Sequence, residues 1–123
     1  MTAPGPVAAL RVLVVEDDML VAFMLEDYLE QLRCTLAGIE MRLEPALAAA
    51  QAGGFDFALL DINLNGAMSW PVADVLVAAG IPFAFATGYR ATVLPERFAG
   101  LSVLAKPFGI DELAAVLGAT GPL

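Results

Sequence analysis

Apolar runs alternate with helically spaced stretches along the chain, and the central run sets the pattern for the rest. Phe57-Ala58-Leu59-Leu60 has no polar residue between its members, which suits a strand buried on both faces of a sheet. It stops at Asp61, and Ile62-Asn63-Leu64-Asn65-Gly66 reads as a loop. Leu10 to Val15 is a comparable strand, cut off by Glu16-Asp17-Asp18, and Thr35 to Ile39 is a weaker one. Phe83 to Ala86 ends at Thr87-Gly88, and Leu101 to Ala105 ends at Lys106-Pro107.

Between these runs the spacing turns helical. From Met19 the pattern continues through Leu25, Tyr28, Leu29 and Leu32, with Asp17 or Asp18 placed to cap it. Pro45 suits a first helical turn, and Gly53-Gly54 ends the alanine-rich stretch that follows. Ser69 is a candidate cap for a helix over 72–79, closed by Gly80 and Pro82, and Asp111 for a last helix carried by Leu113, Val116 and Leu117. Residues 89–100 contain Pro95 and little periodicity, so any helix there is expected to be short or mobile.

Strand–helix alternation of this kind predicts an α/β fold: a doubly wound, five-stranded parallel sheet with helices on both faces. Right-handed crossovers leave few topologies, of which 2-1-3-4-5 is a common one. The 123 residues make one domain, expected over 9–123 with no output domain, and 1–8 reads as a loose tail.

Composition narrows the function. The formal charge of -8 disfavours nucleic-acid binding, which needs basic patches to displace phosphate counterions. No apolar run approaches the ~20 residues of a membrane span, so no membrane partner is expected. The single cysteine, Cys34, excludes an internal disulfide and is compatible with a reducing cytoplasm, the expected location. Histidine is absent, so neither a histidine base nor a phosphohistidine exists in this chain.

In a parallel sheet, Glu16-Asp17, Asp61, Thr87 and Lys106 all fall along one edge, where ligands bind in open α/β folds. Three crowded carboxylates need a cation or protons, and hard oxygen donors suit Mg²⁺. Asp61 then becomes a plausible acceptor of a phosphoryl group, with the Thr87 hydroxyl and Lys106 ammonium stabilising its oxygens. Each residue alone has an ordinary explanation: a helix dipole for the acidic pair, a turn for Asp61 or Thr87, a solvated charge for Lys106. Their shared position after apolar strands is what argues for one site.

These residues resemble the receiver domain of two-component response regulators, over about residues 9–119. Val14-Val15-Glu16-Asp17 is similar to the strand and acidic pair, Asp61 to the phospho-acceptor, Thr87 to the switch hydroxyl, and Lys106-Pro107-Phe108 to the lysine followed by a cis proline. Phe85-Ala86-Thr87-Gly88-Tyr89 resembles the Phe-Ala-Thr-Gly-x-Tyr-like signature of a receiver subgroup common among alphaproteobacteria, although Tyr89 here follows Gly88 directly. The resemblance implies a flavodoxin-like receiver fold and Mg²⁺ held directly by Asp17 and Asp61, through water by Glu16, and by the backbone carbonyl of Asn63. It further implies that Asp61 takes its phosphoryl group from a sensor histidine kinase or histidine phosphotransfer protein, in relay, sink or target-binding roles. Such a domain is not an enzyme in the ordinary sense, although it hydrolyses its own phosphoaspartate. The aromatic that typical receivers place three residues before the lysine is Val103 here, so Tyr89 is the expected switch aromatic. The main alternative is a pseudo-receiver, a constitutive protein-interaction module that is never phosphorylated. A haloacid-dehalogenase-like phosphatase would want an aspartate at Asn63, and a flavin carrier a neutral phosphate loop at Glu16-Asp17-Asp18.

Overall fold

The computed structural model describes residues 10–88 and 94–120. Five parallel strands form one sheet: β1 (Arg11–Val15), β2 (Thr35–Glu40), β3 (Phe57–Asp61), β6 (Phe83–Thr87) and β7 (Val103–Ala105). Their order is β2-β1-β3-β6-β7, which is 2-1-3-4-5 when only this sheet is counted. The intervening β4 (Asn63–Leu64) and β5 (Ala67–Met68) pair with each other as a small antiparallel hairpin.

Alternation along the strands sorts the core into two layers. Leu13, Val15, Leu60 and Phe85 face helices α2 (Leu43–Ala52) and α3 (Trp70–Ala79) through Ala46, Ala50, Val72 and Leu76. Val12, Val14, Leu59 and Ala86 face α1 (Met19–Gln31) and α4 (Ile110–Thr120) through Leu25, Leu29, Leu113 and Leu117. Period two on the strands and period 3.6 on the helices thus meet on both faces of the sheet. β3 and β6 are buried at every position, which is why both read as unbroken apolar runs.

Three local expectations change. The segment after Asp61 is the β4–β5 hairpin, not an irregular loop. Asn65 and Gly66 turn it with φ of 53° and 94°, a conformation that Asn-Gly adopts readily. The last helix begins after Gly109, whose N–H donates to the Glu112 carboxylate at 2.8 Å and whose carbonyl accepts from Leu113 N–H; Asp111 lies inside the first turn instead of capping it. Ser69 precedes α3 as expected, but only its carbonyl caps, accepting from Val72 and Ala73 N–H. A short 3-10 turn at Glu96–Phe98 is the only helical piece between β6 and β7 among the described residues. None of the described helices is long and apolar enough to cross a membrane.

Candidate functional site

Strand register brings the polar ends together. Val15 lies level with Leu60, Asp61 with Ala86, and Thr87 with Ala105. The next residue on β1 is therefore Glu16, beside Asp61, and the next on β7 is Lys106, beside Thr87. Glu16, Asp61 and Thr87 are all buried, Asp17 is partly exposed, and an open cleft of about 580 Å³ lies above them. Carboxylate oxygens of Glu16, Asp17 and Asp61 lie within 4.8 Å of one another.

Lys106 supplies the cation that holds this cluster together. Its Nζ lies 2.6 Å from Glu16 Oε1 and 3.1 Å from Asp61 Oδ2. Burial pushes the Glu16 carboxyl up to about 7, against the opposing pull of Lys106 and of the Asp18 N–H that donates to it at 3.0 Å. Burial likewise raises Asp61, against Lys106. For Lys106 itself, burial favours the neutral amine, but the two carboxylates outweigh it and raise its pKa. The Lys106 N–H donates to the Thr87 carbonyl at 2.8 Å, and the Lys106–Pro107 peptide bond is cis.

The hairpin contributes more than the sequence reading assigned to it. Asn65 N–H donates to Asp17 Oδ2 at 2.9 Å, and Gly66 N–H to Asn63 Oδ1 at 2.6 Å. Asn63 N–H points at Asp61 Oδ1 at 3.4 Å. Asp17 and Asp61 are thereby tied to opposite ends of one turn, and exposed Met68 forms part of the cleft wall. The Asn65-Gly66 pair was the available signal for this turn. Tyr89, the expected switch aromatic, lies outside the described residues. Val103, on the edge strand, is exposed.

The donor set fits a small divalent cation. All three donors are hard carboxylates whose oxygens lie within 4.8 Å of one another, near enough for one ion held at about 2.1 Å to be shared among them after small side-chain adjustments. One ammonium among three carboxylates also leaves an excess of negative charge when all are ionised. Asp17 and Asp61 are the more accessible pair, while Glu16 is occupied by Lys106 and Asp18.

No protein-family model and no curated protein matches the chain. Solved structures do. SdrG from Sphingomonas melonis Fr1, a response-regulator receiver, superposes with a TM-score of 0.81 at 46% identity, covering 90% of this chain and 95% of that one. Its BeF3-activated conformation, attributed to Pseudomonas melonis Fr1, gives 0.76 at 45% over 91% and 96%. The response regulator PhyR from Brucella abortus gives 0.75 at 27% identity, over 92% of this chain but 49% of that one. At the level of fold alone, the receiver domain of the sensor histidine kinase PA1611 from Pseudomonas aeruginosa PAO1, with a magnesium ion in its active-site cleft, gives 0.76 at 22% over 91% and 97%. A 2-1-3-4-5 sheet with its acidic cleft at the strand ends, matched to SdrG over nearly the full length of both, places this chain in the receiver-domain family of two-component response regulators.

Proposed function

We propose that residues 9–123 form a phosphoryl-accepting receiver with Asp61 as acceptor. The observation that carries this reading is the Lys106 ammonium between Glu16 and Asp61, inside a three-carboxylate cluster at the strand ends. An Asp61 oxygen attacks phosphorus of a phosphohistidine supplied in trans. The P–N bond breaks, and the imidazole leaves and takes up a proton. Lys106 turns from the carboxylates to a phosphoryl oxygen, and the Thr87 hydroxyl donates to another. Asp17 and Asp61 would hold Mg²⁺ directly, and Glu16 and the Asn63 carbonyl would complete the set. When bound there, it would supply positive charge to offset that of the acceptor carboxylate and the incoming phosphoryl oxygens.

A histidine kinase or histidine phosphotransfer protein is the donor, and its phosphohistidine lies outside these 123 residues, which contain no histidine. The signal leaves as a changed affinity for a partner protein, and the domain serves as relay, sink or switch. Attack by water on the side of phosphorus opposite Asp61 breaks the acyl P–O bond and restores the carboxylate. The existence of a BeF3-activated conformation of SdrG supports the reading, because beryllofluoride is a chemical mimic of a phosphoryl group. Incubation with Mg²⁺ and a small phosphodonor should add one phosphoryl mass to the wild type and none to Asp61→Asn. An unmodified wild type with a well-formed fold would instead favour a constitutive interaction module.

A further inference from the structure

Behind the site, α3 begins with an unusual junction. Ser69 Oγ is fully buried and is the one buried side-chain polar atom without a hydrogen-bond partner among the described residues. Such a group bears its full desolvation cost in this arrangement, so any state that gives it a partner is favoured at this point. Ser69 is wired to the strand ends through backbone alone. Its N–H donates to the Ile62 carbonyl at 2.9 Å, and the Ile62 N–H donates to the Ala86 carbonyl at 3.1 Å, between Phe85 and Thr87.

The next residue, Trp70, is half-buried and meets the edge of Phe85 at 5.5 Å and the ring of Phe98 at 5.8 Å. Phe98 also contacts Phe85 at 5.6 Å, so three rings close on one another. Arg97 fastens this group to α3. Its guanidinium lies 4.6 Å from the centre of the Phe98 ring and makes two hydrogen bonds to Asp74, at 2.8 and 3.1 Å, one helical turn beyond Trp70. The 3-10 turn at Glu96–Phe98 is therefore held to α3 by the contact of half-buried Trp70 with buried Phe98 and by an exposed ion pair, of which the ion pair is the weaker tie.

We infer that Trp70 and Phe98 form an aromatic latch with two arrangements, through which occupancy of Asp61 is transmitted to the 94–99 segment. The latch rests on the acceptor role proposed for Asp61. Movement of Thr87 towards an occupied Asp61 displaces Ala86 and, through Ile62, the Ser69 junction. Ser69 Oγ then gains a partner, and Trp70 shifts against Phe98.

Trp70 is the chain's single tryptophan, so its fluorescence reads the latch directly. The full chain is titrated with beryllofluoride in constant Mg²⁺, with ¹⁹F NMR reporting bound fluoride and Trp70 emission and acrylamide quenching reporting the latch. Emission and quenching are expected to change together with the bound ¹⁹F signal, beyond any change caused by Mg²⁺ alone. Ser69→Ala removes the cost of the resting arrangement, so it should raise the beryllofluoride concentration at half-response about fivefold or more. A packing role alone would alter melting temperature and leave that concentration unmoved. Phe98→Leu, which keeps an apolar side chain but removes the ring, should retain bound fluoride and lose the Trp70 response. Bound fluoride with unchanged Trp70 signals in the wild type, or a full response in Phe98→Leu, overturns the latch alone. No bound fluoride in a folded wild type overturns the acceptor role, and the latch with it.

Discussion

Lys106 lies closer to Glu16, at 2.6 Å, than to the proposed acceptor Asp61, at 3.1 Å. The lysine is held mainly by an acid that takes no phosphoryl group, and it can move to a new anion without leaving the cluster. Removal of Lys106 strands Glu16, which is only 1% exposed. Lys106→Ala should therefore destabilise the metal-free protein by about 2–3 kcal/mol at pH 8, towards the lower side of what breaking a buried pair costs because Glu16 can take up a proton. Mg²⁺ should recover part of that loss. Urea unfolding with and without Mg²⁺ measures both effects, and equal stability of mutant and wild type at pH 8 would show that Lys106 is not the counter-charge of Glu16.

The same buried carboxyl sets a pH dependence. Glu16 titrates near 7 in the folded protein and at 4.5 when unperturbed, so between these values the folded state holds more protons than the unfolded state. Stability from this group is complete below about pH 4.5 and declines as pH rises through about 7. Raised Asp61 acts in the same direction. Unfolding in chelator between pH 5 and 8 should therefore show a downward slope that Glu16→Gln flattens. Saturating Mg²⁺ should flatten it too, by stabilising the ionised cluster at the alkaline end. An unchanged slope in Glu16→Gln would remove Glu16 as its source.

The sequence shows the sheet and its reactive edge for one physical reason. Strands buried on both faces admit no polar residue until they surface, so Asp61 and Thr87 stand out at the ends of apolar runs, and Glu16 and Lys106 just beyond them. The hairpin lacks that contrast. Its strands are two residues long, and only Asn65-Gly66 marks the turn. Asp111 has the right chemistry for a cap, but Gly109 takes the position because Glu112 can return to its N–H. Pairing of Lys106 with Glu16 between the ends of β7 and β1, with β3 and β6 lying between those strands, is a tertiary contact that no local spacing encodes.

Asp17 has two duties whose removal pulls in opposite directions. Its loss relieves repulsion among three carboxylates but also breaks the Asn65 N–H contact at 2.9 Å. These terms are each about 1 kcal/mol, so Asp17→Ala should leave metal-free stability within about 1 kcal/mol of wild type. Mg²⁺ binding, by contrast, should be abolished. Calorimetric titration shows this directly, and identical isotherms for mutant and wild type would disprove Asp17 as a ligand.

Gly66 tests whether the hairpin positions the site or merely closes the chain. Its φ of 94° is strained for any residue with a Cβ, although open space surrounds the position, so substitution costs backbone energy without a clash. Gly66→Ala should lose about 1–2 kcal/mol of stability, the ordinary penalty for left-handed backbone. The same change disturbs the N–H that holds Asn63 and, through the turn, the contact between Asn65 and Asp17. Mg²⁺ affinity should therefore fall along with stability, in a protein whose three clustered carboxylates are all intact. Gly66→Asn separates the two effects, because asparagine tolerates positive φ better and should recover much of both. A variant that loses stability while binding Mg²⁺ as tightly as wild type would show that Asp17 is positioned by β1 alone and that the hairpin does not order the metal ligands.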